Sequence, residues 1–185
     1  LEFFHAIGIP VGELWGMSET CGAATVNPPG KIKLGTVGPP LPGVEVRVTD
    51  PESGDPLAQG EIGMIEVRGP NVFKGYWRMP EKTAAELRAN GFFITGDLGK
   101  IDTQGYVHIV GRGKDLIITG GYNVYPREIE EFLYTHPDVL DAQVIGVPDE
   151  YRGQTVKAFV SLSDGHSVTA QELIDFCKER MAAYK

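Results

Sequence analysis

Cysteine is nearly absent from this chain: among 185 residues only Cys21 and Cys177 carry a thiol. Two sulfurs so far apart suit neither a zinc site nor a disulfide framework, so a reducing, cytoplasmic compartment is the simplest expectation. Basic charge is scarce as well. The 17 Lys and Arg stand against 25 Asp and Glu, for a net charge of -8, and the basic residues are scattered. Such a surface argues against nucleic acid or an anionic membrane as the main partner. No apolar run approaches the length of a membrane span, and Leu1 to Ile9 has neither the basic region nor the cleavage site of a leader. No internal repeat or low-complexity segment interrupts the chain, which opens without Met and is expected to be a piece of a longer protein. What is present is an ordinary globular composition, 42% apolar and 23% charged, enough for one large domain or two small ones.

The patterning changes along the chain. Leu1 to Ile7 suits a helix end, broken by Gly8-Ile9-Pro10 ahead of a short apolar strand at Val11 to Met17. Val44, Val46 and Val48 alternate with Glu45, Arg47 and Thr49, the period-2 signature of a half-buried strand. A turn cluster at Asp50 to Pro56 separates it from Ile62 to Val67, which predicts an antiparallel pair. Further strands are expected at Phe92 to Thr95, Lys100 to Asp102 and Tyr106 to Val110, with a helix around Glu81 to Ala89. Beyond Gly111 strands and helices alternate. A strand at Leu116 to Ile118 precedes a helix opened by Pro126 and stopped by Pro137. Strands at Val139 to Val147 and Val156 to Leu162 lead to a helix whose start is marked by Thr169 and Glu172, a capping box.

Four polar, glycine-punctuated segments carry candidate chemistry. In Trp15-Gly16-Met17-Ser18-Glu19-Thr20 an aromatic ring can stack on a base, Ser18 or Thr20 can donate to a phosphate oxygen, and Glu19 can hold a divalent cation on phosphates; taken alone, the segment reads more readily as a strand end with a solvated polar turn. In Thr95-Gly96-Asp97-Leu98-Gly99 a carboxylate flanked by glycines can accept hydrogen bonds from adjacent hydroxyls, as on a ribose; a plain Gly-Asp turn between strands fits equally. The run Gly111 to Glu130 places Arg112 and Lys114 before a strand, with Gly120-Gly121-Tyr122 after it and a Pro-initiated helix beyond. Arg112 can fork onto hydroxyls or a phosphate, and Gly113 beside Lys114 offers a flexible joint. For Gly69 to Trp77 the favoured reading is aromatics packing a loop onto the strands.

Together and in this order, these strings resemble the adenylate-forming superfamily of acyl-CoA synthetases, firefly luciferases and peptide-synthetase adenylation domains, over essentially the whole chain. Gly60 to Glu130 is most similar to malonyl-CoA synthetases, and Gly8 to Val46 to bacterial long-chain fatty-acid CoA ligases. The resemblance implies an α+β fold: residues 1–111 as the strand-rich, barrel-like end of a large ATP-binding domain, and residues 112–185 as a small, incomplete, mobile α/β domain. It implies a carboxylic acid, ATP, Mg2+ and CoA as ligands, with an acyl-adenylate formed first and a thioester second. By the same resemblance Trp15 lies against the adenine beside Gly16 and Met17, Ser18 stands near the α-phosphate in place of the usual Thr, and Glu19 coordinates magnesium. Asp97 binds the ribose, Arg112 reaches the same sugar from the start of the last domain, and Lys114 is the hinge. Gly120, Gly121 and Tyr122 match the loop that enters for the second step and lines the channel of the CoA thiol.

The Ser/Thr/Gly-rich phosphate loop of such enzymes appears nowhere in these residues, and Lys185 sits too early to match their final catalytic Lys. This chain alone is therefore expected not to make acyl-adenylate at a useful rate. Two other readings remain open: a noncatalytic nucleotide-binding or interaction module of the same fold, and an adenylating enzyme whose acceptor is a carrier-protein thiol.

Overall fold

A computed structural model describes residues 1–182; the expectation concerning Lys185 lies outside the described residues. The chain forms two compact units, Leu1–Gly113 and Lys114–Lys185. The architecture is mixed α and β and rich in strands, as expected. The division falls after Gly113, not after Gly111, because Gly111 and Arg112 are still paired with Leu98 and Asp97 in a sheet of the first unit.

In the first unit a short helix α1 (Glu2–Ala6) precedes an antiparallel pair, β1 (Leu14–Met17) and β2 (Gly22–Val26). Then β3 (Glu45–Thr49), β4 (Gly63–Arg68), β5 (Phe93–Ile101) and β6 (Val107–Arg112) form a four-stranded antiparallel sheet in chain order, with α2 (Pro80–Glu86) between β4 and β5. The two separate strands expected at Phe92 to Thr95 and Lys100 to Asp102 are one continuous strand, with Thr95-Gly96-Asp97 inside it. Met64 and Glu66, two residues apart on β4, pair with Leu98 and Ile94, four apart on β5. The surplus residues bulge, and a bulge re-aims the side chain it carries. Trp15, Ala24, Ile65, Val67 and Val107 form the core beneath these strands. Val37 N–H donates to the carbonyl of Val107 and Leu41 N–H to that of Ala24, so the segment after β2 ties the hairpin to the larger sheet.

The second unit contains β7 (Ile117–Thr119), β8 (Tyr122–Val124), α3 (Pro126–Leu133), β9 (Val139–Asp149), β10 (Gly153–Leu162) and α4 (Ala170–Lys178). Its sheet order is β8-β7-β10-β9, all antiparallel. Pro126 opens α3 where a missing N–H costs nothing, and the helix ends at Leu133, short of Pro137. Thr169 and Glu172 do form a capping box: Glu172 accepts from Thr169 N–H at 2.8 Å, and Glu172 N–H donates back to Thr169 Oγ1 at 3.3 Å. Ile129 and Leu133 of α3 join Ile117, Val124, Val139, Ala142 and Val144 of the sheet in one apolar core, against which Leu173 and Cys177 of α4 pack. Among the described residues no helix is long and apolar enough to cross a membrane.

Candidate functional site

Two residues from different strands, Trp15 and Arg112, converge on one carboxylate. Asp97, 4% exposed, sits at the β5 bulge, accepting at Oδ2 from the Trp15 indole N–H (2.8 Å) and facing Arg112 Nε at 2.8 Å through Oδ1. The sheet register makes the second contact almost unavoidable, since Asp97 and Arg112 are direct cross-strand partners on β5 and β6. A carboxylate has about four acceptor positions, so two remain for the hydroxyls of a sugar. Trp15 is 9% exposed and its N–H is engaged by Asp97, so the indole also orients that carboxylate. Arg112 lies at the end of β6, in the first unit and not at the head of the second, and its side chain is 57% exposed. A guanidinium held at one nitrogen keeps further N–H donors for a ligand.

Gly16 follows Trp15 on β1 at a point where the neighbouring strand leaves no space. A β-carbon there would stand 1.9 Å from the carbonyl oxygen of Gly22. The half-buried Met17 then leads into a single 3₁₀ turn, Ser18–Thr20. Thr20 is fully buried, its hydroxyl receiving Met17 N–H at 2.9 Å and lying 2.7 Å from the Gly22 carbonyl, so of the two hydroxyls it is the one that builds the turn. Ser18 is exposed and is the one available to a phosphate.

Glu19 is half-buried. Its backbone carbonyl accepts from Phe73 N–H at 2.8 Å, and its Oε1 lies 2.9 Å from the Tyr76 hydroxyl, which also approaches Glu86 at 2.6 Å. Burial, with Glu86 and Glu19 adding to it, pushes the Tyr76 phenol well above its ordinary range, so it is a proton-bearing donor at neutral pH. The expected packing role of Gly69 to Trp77 is met by Phe73, edge-on to Phe93 at 5.4 Å. Tyr76 adds a contact that nothing in the order of residues announces, because it lies 57 positions from Glu19. Among the described residues no three His, Cys, Asp or Glu gather as a metal cage. A single carboxylate such as Glu19 is the kind of ligand that suits a small, strongly hydrated ion taking most of its other ligands from phosphates and water.

The other expected residues belong to the second unit. Lys114 is exposed in a 3₁₀ turn, Gly113–Asp115, at the division between the units. Gly120 and Gly121, with φ of 54° and 83°, are the two-residue turn joining β7 to β8, and Tyr122, 56% exposed, begins β8. A separate buried carboxylate is structural: Glu66, fully covered, takes Arg47 and Arg88 at 2.7 Å each and Thr49 at 3.1 Å. Burial opposes its charge, but Arg88, Arg47 and Thr49 outweigh that and hold it below the usual carboxylate range.

The model of the AMP-binding enzyme family matches residues 1–77, and that of the AMP-binding enzyme C-terminal domain matches residues 128–185. The chain is 46% identical over 180 residues to a putative acyl-CoA ligase of Bacillus subtilis, covering 97% of this chain and 36% of that protein. It is 45% identical over 185 residues to a long-chain-fatty-acid–CoA ligase of the same organism, covering 100% of this chain and 33% of the relative. Among solved structures, ATP-bound MatB from Rhodopseudomonas palustris superposes with a TM-score of 0.91 at 56% identity, over 95% of this chain and 35% of that one. The chain thus spans about a third of the length of the relatives it matches.

Proposed function

The chain belongs to the adenylate-forming family of AMP-binding enzymes, and on that premise we propose that it is the carboxy-terminal part of an acyl-CoA synthetase. The observation that carries this reading is the convergence of Trp15 and Arg112 on Asp97, which presents the remaining acceptor positions of a covered carboxylate toward a sugar. The reaction has two steps. A carboxylate oxygen of the acid attacks the α-phosphorus of ATP, and the bond to pyrophosphate breaks. The CoA sulfur then attacks the acyl carbon, its proton is lost, and AMP departs. Charge develops on phosphate oxygens in the first step, so positioned donors and cations supply most of the acceleration.

Asp97 and Arg112 fix the ribose, the exposed Ser18 hydroxyl donates to the α-phosphate, and Glu19 holds magnesium, which neutralises phosphate charge when bound. Gly16 and Met17 form the strand end beneath the nucleotide. Trp15 acts chiefly by orienting Asp97. Lys114, at the division between the two units, is the hinge for exchanging one step for the other, and Gly120, Gly121 and Tyr122 line the path of the CoA thiol in the second. A cytoplasmic setting, with ATP and CoA at hand, suits this chemistry.

Acid-dependent pyrophosphate release in the full-length enzyme tests the reading, with malonate, a long-chain fatty acid and 2-succinylbenzoate in the panel. Release is expected with at least one acid and is lost in Asp97→Ala. The 185-residue chain alone, which has no phosphate loop in its sequence, should show none; losing even one donor facing the transferring phosphate costs a factor of about 10² to 10³. Nucleotide binding without release from any acid would favour the noncatalytic module. Thioester formed on a pantetheinylated carrier but not on free CoA would favour the carrier-protein acceptor.

A further inference from the structure

The loop Gly69 to Trp77 and helix α2 contain a group that the proposed chemistry does not use but that meets it at one residue. We propose that Tyr76 is a positioning residue for Glu19, held in its own place by Glu86; this rests on reading Glu19 as the magnesium carboxylate. Glu19 stands on a 3₁₀ turn of three residues, too short to fix a side chain by itself. It is fixed from outside at two points, the Phe73 N–H on its carbonyl (2.8 Å) and the Tyr76 hydroxyl on Oε1 (2.9 Å). The Tyr76 bond is made at Oε1, so Oε2 is the oxygen assigned to the cation.

The clamp is itself rigidly mounted. Tyr76 N–H donates to Thr83 Oγ1 at 2.9 Å, which anchors the loop to α2, and the Tyr76 ring packs edge-on against Phe73 at 4.8 Å. The Lys82 ammonium lies 4.1 Å from the ring centroid. Glu86, the last residue of the same helix, reaches the hydroxyl at 2.6 Å. One phenol has one proton, so it satisfies one of these two carboxylates at a time. When that proton is given to Glu19 it holds Oε1 in place and leaves Oε2 for the cation, and Glu86, on the other side of the hydroxyl, sets how often it is so given.

The test uses the full-length enzyme and Tyr76→Phe, which retains the ring contacts and removes only the hydroxyl. Manganese binding in the presence of ATP, followed by electron paramagnetic resonance, is the direct readout, with the Mg2+ concentration for half-maximal pyrophosphate release beside it. Tyr76→Phe should weaken manganese binding and raise the Mg2+ requirement about tenfold, the weight of one hydrogen bond to a charged group. The KM for the acid and the melting temperature should stay near wild type. Glu86→Gln, whose amide can donate to the phenol oxygen and release its proton to Glu19, should shift the metal requirement less than Tyr76→Phe. Glu19→Gln is the control. If it moves manganese binding and Tyr76→Phe does not, the positioning role is wrong; if Glu19→Gln itself leaves manganese binding unchanged, the underlying assignment of Glu19 fails, and this proposal with it.

Discussion

A carboxylate as covered as Asp97 needs partners for its oxygens, since an unpaired buried polar group costs more than a satisfied one returns. The partners here are unequal. Arg112 is half in solvent, whereas Trp15 is buried, so the indole N–H fixes the carboxylate's plane and the guanidinium stays free to turn toward a ligand. Replacing Trp15 by Phe keeps the apolar bulk and removes the donor. In the full-length enzyme that change should raise the KM for ATP about tenfold, as expected for one hydrogen bond to a charged group, with the KM for the acid unchanged. An unaltered KM for ATP would show that Asp97 is oriented without the indole. Glu66 teaches the opposite lesson at the same scale: a fully covered carboxylate with two arginines is here a piece of the sheet, while Asp97, with one arginine and one indole, borders the candidate site. Residue type alone does not separate the two; their neighbours do.

At the scale of elements, the β7–β8 hairpin is the clearest case of a device carrying two readings. Two glycines between short apolar runs are the turn that joins antiparallel strands when both residues have positive φ, and Gly120 and Gly121 both do. That signal was present in the residues, but the strand beyond it, Tyr122–Val124, is too short to declare itself by periodicity. If the turn is also the moving loop of the second half-reaction, its conformation has to be kept. Gly121→Ala forces a side chain into the left-handed region and should cost about 1 to 2 kcal/mol, measured as a lower urea midpoint of the second unit by circular dichroism. In the full-length enzyme it should slow thioester formation more than pyrophosphate release. The bulge in β5 illustrates the reverse: Thr95-Gly96-Asp97 reads as a turn between strands because glycines punctuate it, yet hydrogen bonding from β4 and β6 carries the strand through.

At the scale of the molecule, charge links stability to pH. In the first unit Glu66 is held low by Arg88, Arg47 and Thr49 against the opposing effect of burial. Asp102 is likewise held below the usual range, burial again opposing, by Lys33 at 2.5 Å and His108 at 3.1 Å. For a carboxylate whose folded pKa is depressed, the stabilisation is present above the unfolded value, near 4, and is lost as pH falls through the lower folded value. Both tryptophans, Trp15 and Trp77, lie in this unit, so their fluorescence follows it selectively. Its urea midpoint should fall between pH 7 and pH 3. Glu66→Gln should lower the midpoint at pH 7, because breaking a buried ion-pair network costs about 3 to 5 kcal/mol, and should flatten the drop toward pH 3. A midpoint independent of pH in both proteins would remove these carboxylates from the account.

The order of the residues was enough to place most strands and helices, the proline start of α3, the capping box of α4 and the family resemblance, because each is written in a local period or a short string. Hydrophobic alternation and capping act over a few residues, and a few residues suffice to show them. The tertiary structure alone decided that the Trp15 N–H meets Asp97, that Thr20 is spent on its own turn while Ser18 is exposed, that Arg112 closes a strand of the first unit, and that Tyr76 meets Glu19. The Trp15–Asp97 and Glu19–Tyr76 contacts join residues 82 and 57 positions apart; the first depends on sheet register and the β5 bulge, the second on a loop anchored to α2, and neither belongs to any one stretch of sequence.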